Sequence, residues 1–214
     1  MKRLVALLFA TLVSSFALPG VAFAAEPQVG KEFKLISPPL ASPKDKIEVI
    51  EFFSYACNHC SDFHPLISQW AAKLPKDVSF RRVPVTFNRP EWARLSRIYY
   101  ALEATGDLAK LDAAVFIAIH EQRVQFKTDE AVVTWAASKG ADAKRFGDAM
   151  AAFSMQAKLQ RADQDASTAR ITGVPSLAVD GKYLINNEAA GSYEELLKLT
   201  DSVIAKARQE RKGK

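Results

Sequence analysis

Ile47-Glu48-Val49-Ile50-Glu51-Phe52-Phe53-Ser54-Tyr55-Ala56-Cys57-Asn58-His59-Cys60 is a β-branched and aromatic run that leads directly into two thiols. Its first seven residues have strand length and composition, and their weak alternation fits a strand buried on both faces. From Asn58 onward Phe63, Leu66, Ile67, Trp70 and Leu74 recur at helical spacing, so a helix starts at the cysteines and reaches about Lys73. Pro65 inside it predicts a kink. The two thiols therefore stand at positions i and i+3, in the first turn of a helix that follows a buried strand.

Outward from this stretch the pattern changes twice. Phe33 to Ile36 reads as a short edge strand before the Pro38-Pro39 break, and Val78 to Val85 as a second core strand. From Glu91 to about Ala169 the spacing is helical throughout, with Trp92, Leu95, Ile98, Tyr99 and Leu102 on one face, then Leu108, Leu111, Val115, Phe116 and Ile119. Gly106, Thr128-Asp129 and Gly140-Ala141-Asp142 divide this block into four or five helices, the last two groups offering N-caps. Strand character returns over Ser176 to Asp180 and Tyr183 to Ile185, joined by Asp180-Gly181, a hairpin signal. A last helix begins at Tyr193 behind Ser192, with Glu195 completing a capping box, and runs to about Arg208 before a basic, fraying tail. The order strand, strand, helix, strand, helical block, two strands, helix is that of an α/β core with an inserted helical domain.

The chain has 214 residues, 49% hydrophobic and 25% charged, which disfavours disorder and fibrous architecture. Residues 1–24 form a separate object: Lys2 and Arg3, an apolar run from Leu4 to Leu18, and Ala22-Phe23-Ala24 make the pattern of a secretory signal peptide cleaved after Ala24. The apolar run is short for a membrane span, and no later segment is long enough. Removing 24 of 214 residues leaves 190, and the net charge falls from +5 to +3 because the leader holds two basic and no acidic residues. The basic balance is thus no argument for nucleic acid as a partner. Export carries the two cysteines into a compartment where disulfides persist.

Two cysteines cannot build a disulfide-stapled scaffold or a four-cysteine zinc site. In a first helical turn their Cα atoms lie about 5 Å apart, within the window for a disulfide. Cys57 at the helix N-terminus faces unpaired N–H groups and the positive end of the helix dipole, and a protonated His59 adds charge nearby. These terms favour the Cys57 thiolate, which makes Cys57 a good leaving group and the disulfide form a stronger oxidant. Cys60, one turn deeper, is expected to be buried and to close the disulfide. A structural disulfide is the alternative reading. Haem attachment requires His directly after the second Cys, where Ser61 stands, and a zinc site lacks a fourth ligand beyond Cys57, Cys60 and His64, so no metal is expected. His64 and His120 read as ordinary helix-surface or half-buried histidines.

Two further places bear on the chemistry. Pro175, in Gly173-Val174-Pro175-Ser176, precedes the hairpin and is positioned to hold either a cis bond or an ordinary trans turn. If that loop lies against Cys57, the backbone of Val174 offers an edge to an extended peptide. Glu51 is a carboxylate in a strand that otherwise reads as buried, so it faces a wet crevice or pairs with a base. Near the dithiol it is a candidate proton relay for Cys60, with a satisfied structural carboxylate as the alternative.

The segment Glu51 to Cys60, followed far downstream by Thr172-Gly173-Val174-Pro175-Ser176, resembles the periplasmic thiol:disulfide interchange proteins of the DsbA family. The resemblance spans nearly the whole mature chain. It implies a thioredoxin fold with an inserted all-helical domain: 25–87 and 170–214 for the thioredoxin-like part, 88–169 for the insertion. It implies Cys57 as the attacking cysteine, Cys60 as its buried partner and Pro175 as a cis-proline beside them, with no cofactor beyond the Cys57–Cys60 disulfide. It further implies a monomer acting on reduced secreted polypeptides in the periplasm and re-oxidised by a DsbB-type quinone-linked membrane oxidase. Asn58 departs from the Pro of the best-known members; together with His59 it is expected to tune the redox balance. The competing functions are a disulfide isomerase or reductase of the same fold and a peptide-binding chaperone. Isomerases of similar fold carry a separate dimerisation domain, which is not expected here.

Overall fold

A computed structural model describes residues 27–213. The leader expected over 1–24, with its cleavage after Ala24, lies outside the described residues. Five strands, β1 (Phe33–Leu35), β2 (Ile47–Phe53), β3 (Val78–Pro84), β4 (Ser176–Val179) and β5 (Tyr183–Ile185), form one sheet in the order β1-β5-β4-β2-β3. β2 and β3 run parallel; the pairs β2–β4, β4–β5 and β1–β5 are antiparallel. The described helices are α1 (Asn58–Ala71), α2 (Pro90–Thr105), α3 (Leu108–His120), α4 (Asp129–Ser138), α5 (Ala143–Ala151), α6 (Ser154–Thr168), α7 (Asn187–Ala190) and α8 (Tyr193–Lys212). This is an α/β thioredoxin fold with a block of helices between β3 and β4.

Every residue of β2 is buried, and its composition explains why. On one face Val49, Leu177 and Val179 meet Phe63 and Ile67 of α1 and Leu196, Val203 and Ile204 of α8. On the other Ile50, Phe52 and Ala178 meet Ala162 and Ala166 of α6, so apolar residues are needed at odd and even positions alike. A third core lies among α2 to α5, built on Ile98, Leu102, Val115, Phe116 and Phe146, and it takes in Phe53, Tyr55 and Cys60. Burying a side chain such as Phe53 is worth roughly 2–3 kcal/mol. The edge-to-face pairs Phe53–Tyr55 and Tyr55–Phe116, with centroids 5.3 and 4.8 Å apart, fix how the rings interlock. The loop that delivers the cysteines is thereby packed into the helical block.

Local signals place most element ends. Thr128 and Asp142 cap α4 and α5 by accepting from the N–H of Ala131 and Arg145, and Gly106 ends α2 in the left-handed region. In the hairpin turn Asp180 and Gly181 both have positive φ, 55° and 66°. A side chain at 181 would run into the carbonyl of Leu40, so glycine is required there twice over.

Three details differ from the sequence reading. α1 ends at Ala71, two residues short of Lys73, with Pro65 inside it. The basic tail is helical to Lys212 instead of frayed, because Arg208 holds Asp77 at 2.6 Å while Arg211 binds Asp180 and the carbonyls of Pro43 and Lys44. Ser192 accepts from the N–H of Glu195 as expected, yet the Glu195 carboxylate turns to Lys198, so the capping box has only one of its two bonds. Among the described residues no helix is long and apolar enough to cross a membrane.

Candidate active site

The turn between β2 and α1 is built by Ser54. Its carbonyl accepts from the N–H of Cys57 at 3.0 Å and its hydroxyl accepts from the N–H of Ala56 at 3.1 Å. Cys57 then occupies the N-cap of α1 in extended conformation, and its sulfur accepts from the N–H of Cys60 at 3.4 Å. A thiol thus does what Ser or Asp does at ordinary helix starts. Both cysteines are free thiols; Cys57 is half-buried and Cys60 fully buried. Asn58 and His59 between them are exposed.

The surroundings split the two thiols. The Cys57 thiol is lowered to about 6, first by the hydrogen bond from the Cys60 thiol and then, against desolvation, by the N–H groups of Cys60 and His59 and the His59 charge. Burial pushes the Cys60 thiol far up, and its bond to Cys57 and the nearby charges of Cys57 and Glu51 add to the effect. One cysteine is an accessible nucleophile and leaving group at neutral pH, and the other holds its proton.

The Val174–Pro175 bond is cis, and Val174 brings its carbonyl to 3.3 Å from the Cys57 sulfur, which donates to it. The loop before β4 and the start of α1 therefore face each other, although 117 residues separate them in the chain. Asn187 of α7 steadies this loop by donating its side-chain amide to the carbonyl of Pro175.

Beneath Cys60 lies a buried polar group of residues from β2, β3, α1, α3 and the turn that carries Tyr55. The register of β2 on β3 sets Glu51 opposite Arg82, and Arg82 Nε donates to Glu51 Oε2 at 2.6 Å. Arg82 also donates from Nη1 to Asp112 of α3 at 2.6 Å, and its guanidinium lies 3.7 Å from the centroid of the Phe53 ring. Asp112 further accepts from Tyr55 Oη at 2.5 Å and lies 2.8 Å from His64 Nε2, while His120 Nε2 reaches the carbonyl of Tyr55 at 2.8 Å. Burial raises the Glu51 carboxyl and Arg82 only partly offsets this. Desolvation opposes the Arg82 charge, but Glu51 and Asp112 outweigh it and keep the guanidinium ionised. Asp112 is likewise raised by burial and brought back below its ordinary value by His64 and Arg82. Glu51 Oε1 has no hydrogen-bond partner among the described residues.

Of the alternatives open for Glu51, the structure shows pairing with a base. Arg82 and Asp112 are not legible as site residues from the motifs alone. Asp112 carried a signal, since it falls within the apolar stripe Leu108, Leu111, Val115, Phe116 and Ile119, where a carboxylate needs a partner. His64 and His120 are half-buried and hydrogen-bonded to this group. Among the described residues no group of three or more His, Cys, Asp or Glu is arranged to hold a metal ion.

A redox-capable dithiol at the start of α1, faced by a cis-proline loop on a five-stranded mixed sheet, defines a thioredoxin-fold dithiol protein. Comparison with known proteins narrows the class: a DSBA-like thioredoxin domain matches residues 48–198, and the chain belongs to that family. It is 36% identical over 206 residues to the thiol:disulfide interchange protein DsbA of Bordetella parapertussis, across 94% of this chain and 98% of that one. Identity to the Pseudomonas aeruginosa protein of the same name is 36% over 204 residues, across 94% and 96%. The crystal structure of Pseudomonas aeruginosa DsbA superposes with a TM-score of 0.82 at 38% identity, covering 86% of this chain and 95% of that one. That of the oxidoreductase DsbA from Xylella fastidiosa gives 0.80 at 29%, covering 86% and 100%.

Proposed function

We propose that this chain is a thiol:disulfide oxidoreductase that donates its Cys57–Cys60 disulfide to reduced secreted polypeptides. The observation that carries the reading is the asymmetry of the pair, with an accessible thiol lowered to about 6 beside a buried thiol pushed up. A substrate thiolate attacks Cys57 Sγ; the Cys57–Cys60 bond breaks and Cys60 leaves with the electron pair, taking up a proton. A second substrate thiolate then attacks the substrate sulfur of the mixed disulfide and expels Cys57 as a stable thiolate. The substrate gains one disulfide, and the enzyme gains two electrons.

Other residues take proposed roles around this exchange. Glu51, whose carboxyl is raised by burial and whose Oε1 is unpartnered, gives its proton to the leaving Cys60 from its protonated form and regains one from solvent. The main chain of Val174, with Pro175, aligns an extended substrate segment beside Cys57. Asn58 and His59 set the redox balance. Residues 25–87 and 170–214 form the thioredoxin-like part and 88–169 the helical insertion. The leader pattern over 1–24 supports export to the periplasm, where the chain works as a monomer with no cofactor other than its disulfide. Each turnover leaves a dithiol, so a DsbB-type quinone-linked membrane oxidase re-oxidises it.

The test is disulfide formation in a reduced, unfolded secreted polypeptide with two thiols, using the mature protein and Cys57→Ala. Wild type is expected to oxidise the substrate stoichiometrically and the variant not at all. A variant that retains full effect on folding would instead assign the function to peptide binding.

A further inference from the structure

The segment after the β4–β5 hairpin reaches the active-site rim at a second point that the exchange chemistry leaves unused. Tyr193, first residue of α8, donates its hydroxyl to the carbonyl of His59 at 3.1 Å, and the same oxygen lies 3.4 Å from His59 Nδ1. Its ring leans on Phe63 of α1, with centroids 5.0 Å apart, and the Ser192 cap fixes the first turn of its helix. The position of the hydroxyl is therefore set by two helices.

A hydroxyl carries one proton. With that proton on the His59 carbonyl, the oxygen lone pair that faces Nδ1 accepts from a ring N–H. Residue 59 is then held by backbone and ring together. His59 is exposed, and an imidazole free to rotate into water would have its pull on a neighbouring thiolate screened. The charged and titratable groups near the Tyr193 hydroxyl are His59 and Asp62 of α1 and the two thiols Cys57 and Cys60.

We propose that Tyr193 is a positioning residue for His59, fixing the imidazole against the dithiol turn so that the equilibrium between disulfide and dithiol is biased toward the dithiol. This rests on the reading of Cys57 and Cys60 as a redox pair. In the exchange with glutathione, the enzyme S–S bond breaks, the S–S bond of glutathione disulfide forms, and two electrons pass from two glutathione thiols to the enzyme. One proton stays on Cys60, and the other is released to the extent that Cys57 is a thiolate. Whatever favours that thiolate drives the exchange toward reduced enzyme.

Tyr193→Phe deletes the hydroxyl and keeps the ring on Phe63. The equilibrium constant for reduction by glutathione is expected to fall about three-fold, the scale of one exposed hydrogen bond. The Cys57 thiolate absorbance near 240 nm should titrate at higher pH in the variant. In a His59→Ala background, Tyr193→Phe should change neither quantity further. The inference is overturned if Tyr193→Phe matches wild type in both, if its shift persists without His59, or if it only lowers the unfolding midpoint of both redox forms equally. The wild-type constant tests the oxidase reading, and the difference between wild type and variant tests Tyr193, so the two fail separately.

Discussion

Lowering the pH from 9 to 5 is expected to cost the reduced protein stability that the disulfide form keeps. In the folded chain the Cys57 thiol is lowered from its ordinary 9.0 to about 6, while in the unfolded chain it keeps the ordinary value. Between these values the unfolded chain binds one more proton than the folded one, so stability rises with pH across the window. It is fully present above the unfolded value and is lost as pH falls through the folded one. Three units at about 1.4 kcal/mol each give about 4 kcal/mol, and screening at a half-open sulfur roughly halves this, to about 2 kcal/mol. Cys60 works in the opposite sense: pushed up by burial, it stays protonated when folded, so the gain levels off near pH 9 and reverses above it, where the unfolded chain ionises both thiols. Carboxylates such as Asp112, Asp180 and Glu210 titrate in both redox forms and cancel in the difference. Urea unfolding of both forms at pH 5, 6, 7, 8 and 9, without oxygen, measures the gap. A gap that is flat over this range, or that shrinks as pH rises toward 8, would refute the assignment of the lowered thiol to Cys57.

Three other expectations concern the buried polar group. Arg82→Met leaves Glu51 and Asp112 without their shared cation, and the variant is expected to lose about 3–5 kcal/mol in urea unfolding, as when one partner of a buried pair is removed; a loss under about 1 kcal/mol would contradict the role given to the pair. Arg82→Lys keeps the charge but not the fork that spans both carboxylates, and should fall between the two. Glu51→Gln removes the proton donor to Cys60 while leaving Arg82 bound to Asp112, so substrate oxidation should slow on the order of ten-fold with an altered pH profile. An unchanged profile would reduce Glu51 to a structural carboxylate.

Much of this architecture is legible in the sequence because it rests on local signals. The largely apolar run Ile47 to Phe53, interrupted only by Glu48 and Glu51, reflects helices on both faces of β2, and Thr128, Asp142, Gly106 and Ser192 mark helix ends through bonds made within one turn. The strand-to-helix junction at Cys57 is local as well. What the sequence conceals is made by pairing at a distance. Arg82 meets Glu51 only through the parallel register of β2 and β3, and Asp112 meets both Arg82 and Tyr55 only because α3 packs over the cysteine turn. The C-terminal tail looked frayed because its basic residues find their acids, Asp77 and Asp180, in distant loops. The same distance hides Tyr193, whose bond to His59 spans 134 residues.

The oxidase reading stands or falls on the Cys57–Cys60 equilibrium of the mature protein in glutathione redox buffers, read by trapping free thiols with a mass-shifting alkylating agent. A lowered, accessible Cys57 beside a buried Cys60 predicts a pair that is reduced until the buffer is strongly oxidising, with a potential well above the glutathione couple. A potential near or below that of thioredoxin would contradict it, and would make the pair a reductant-fed dithiol or a structural disulfide.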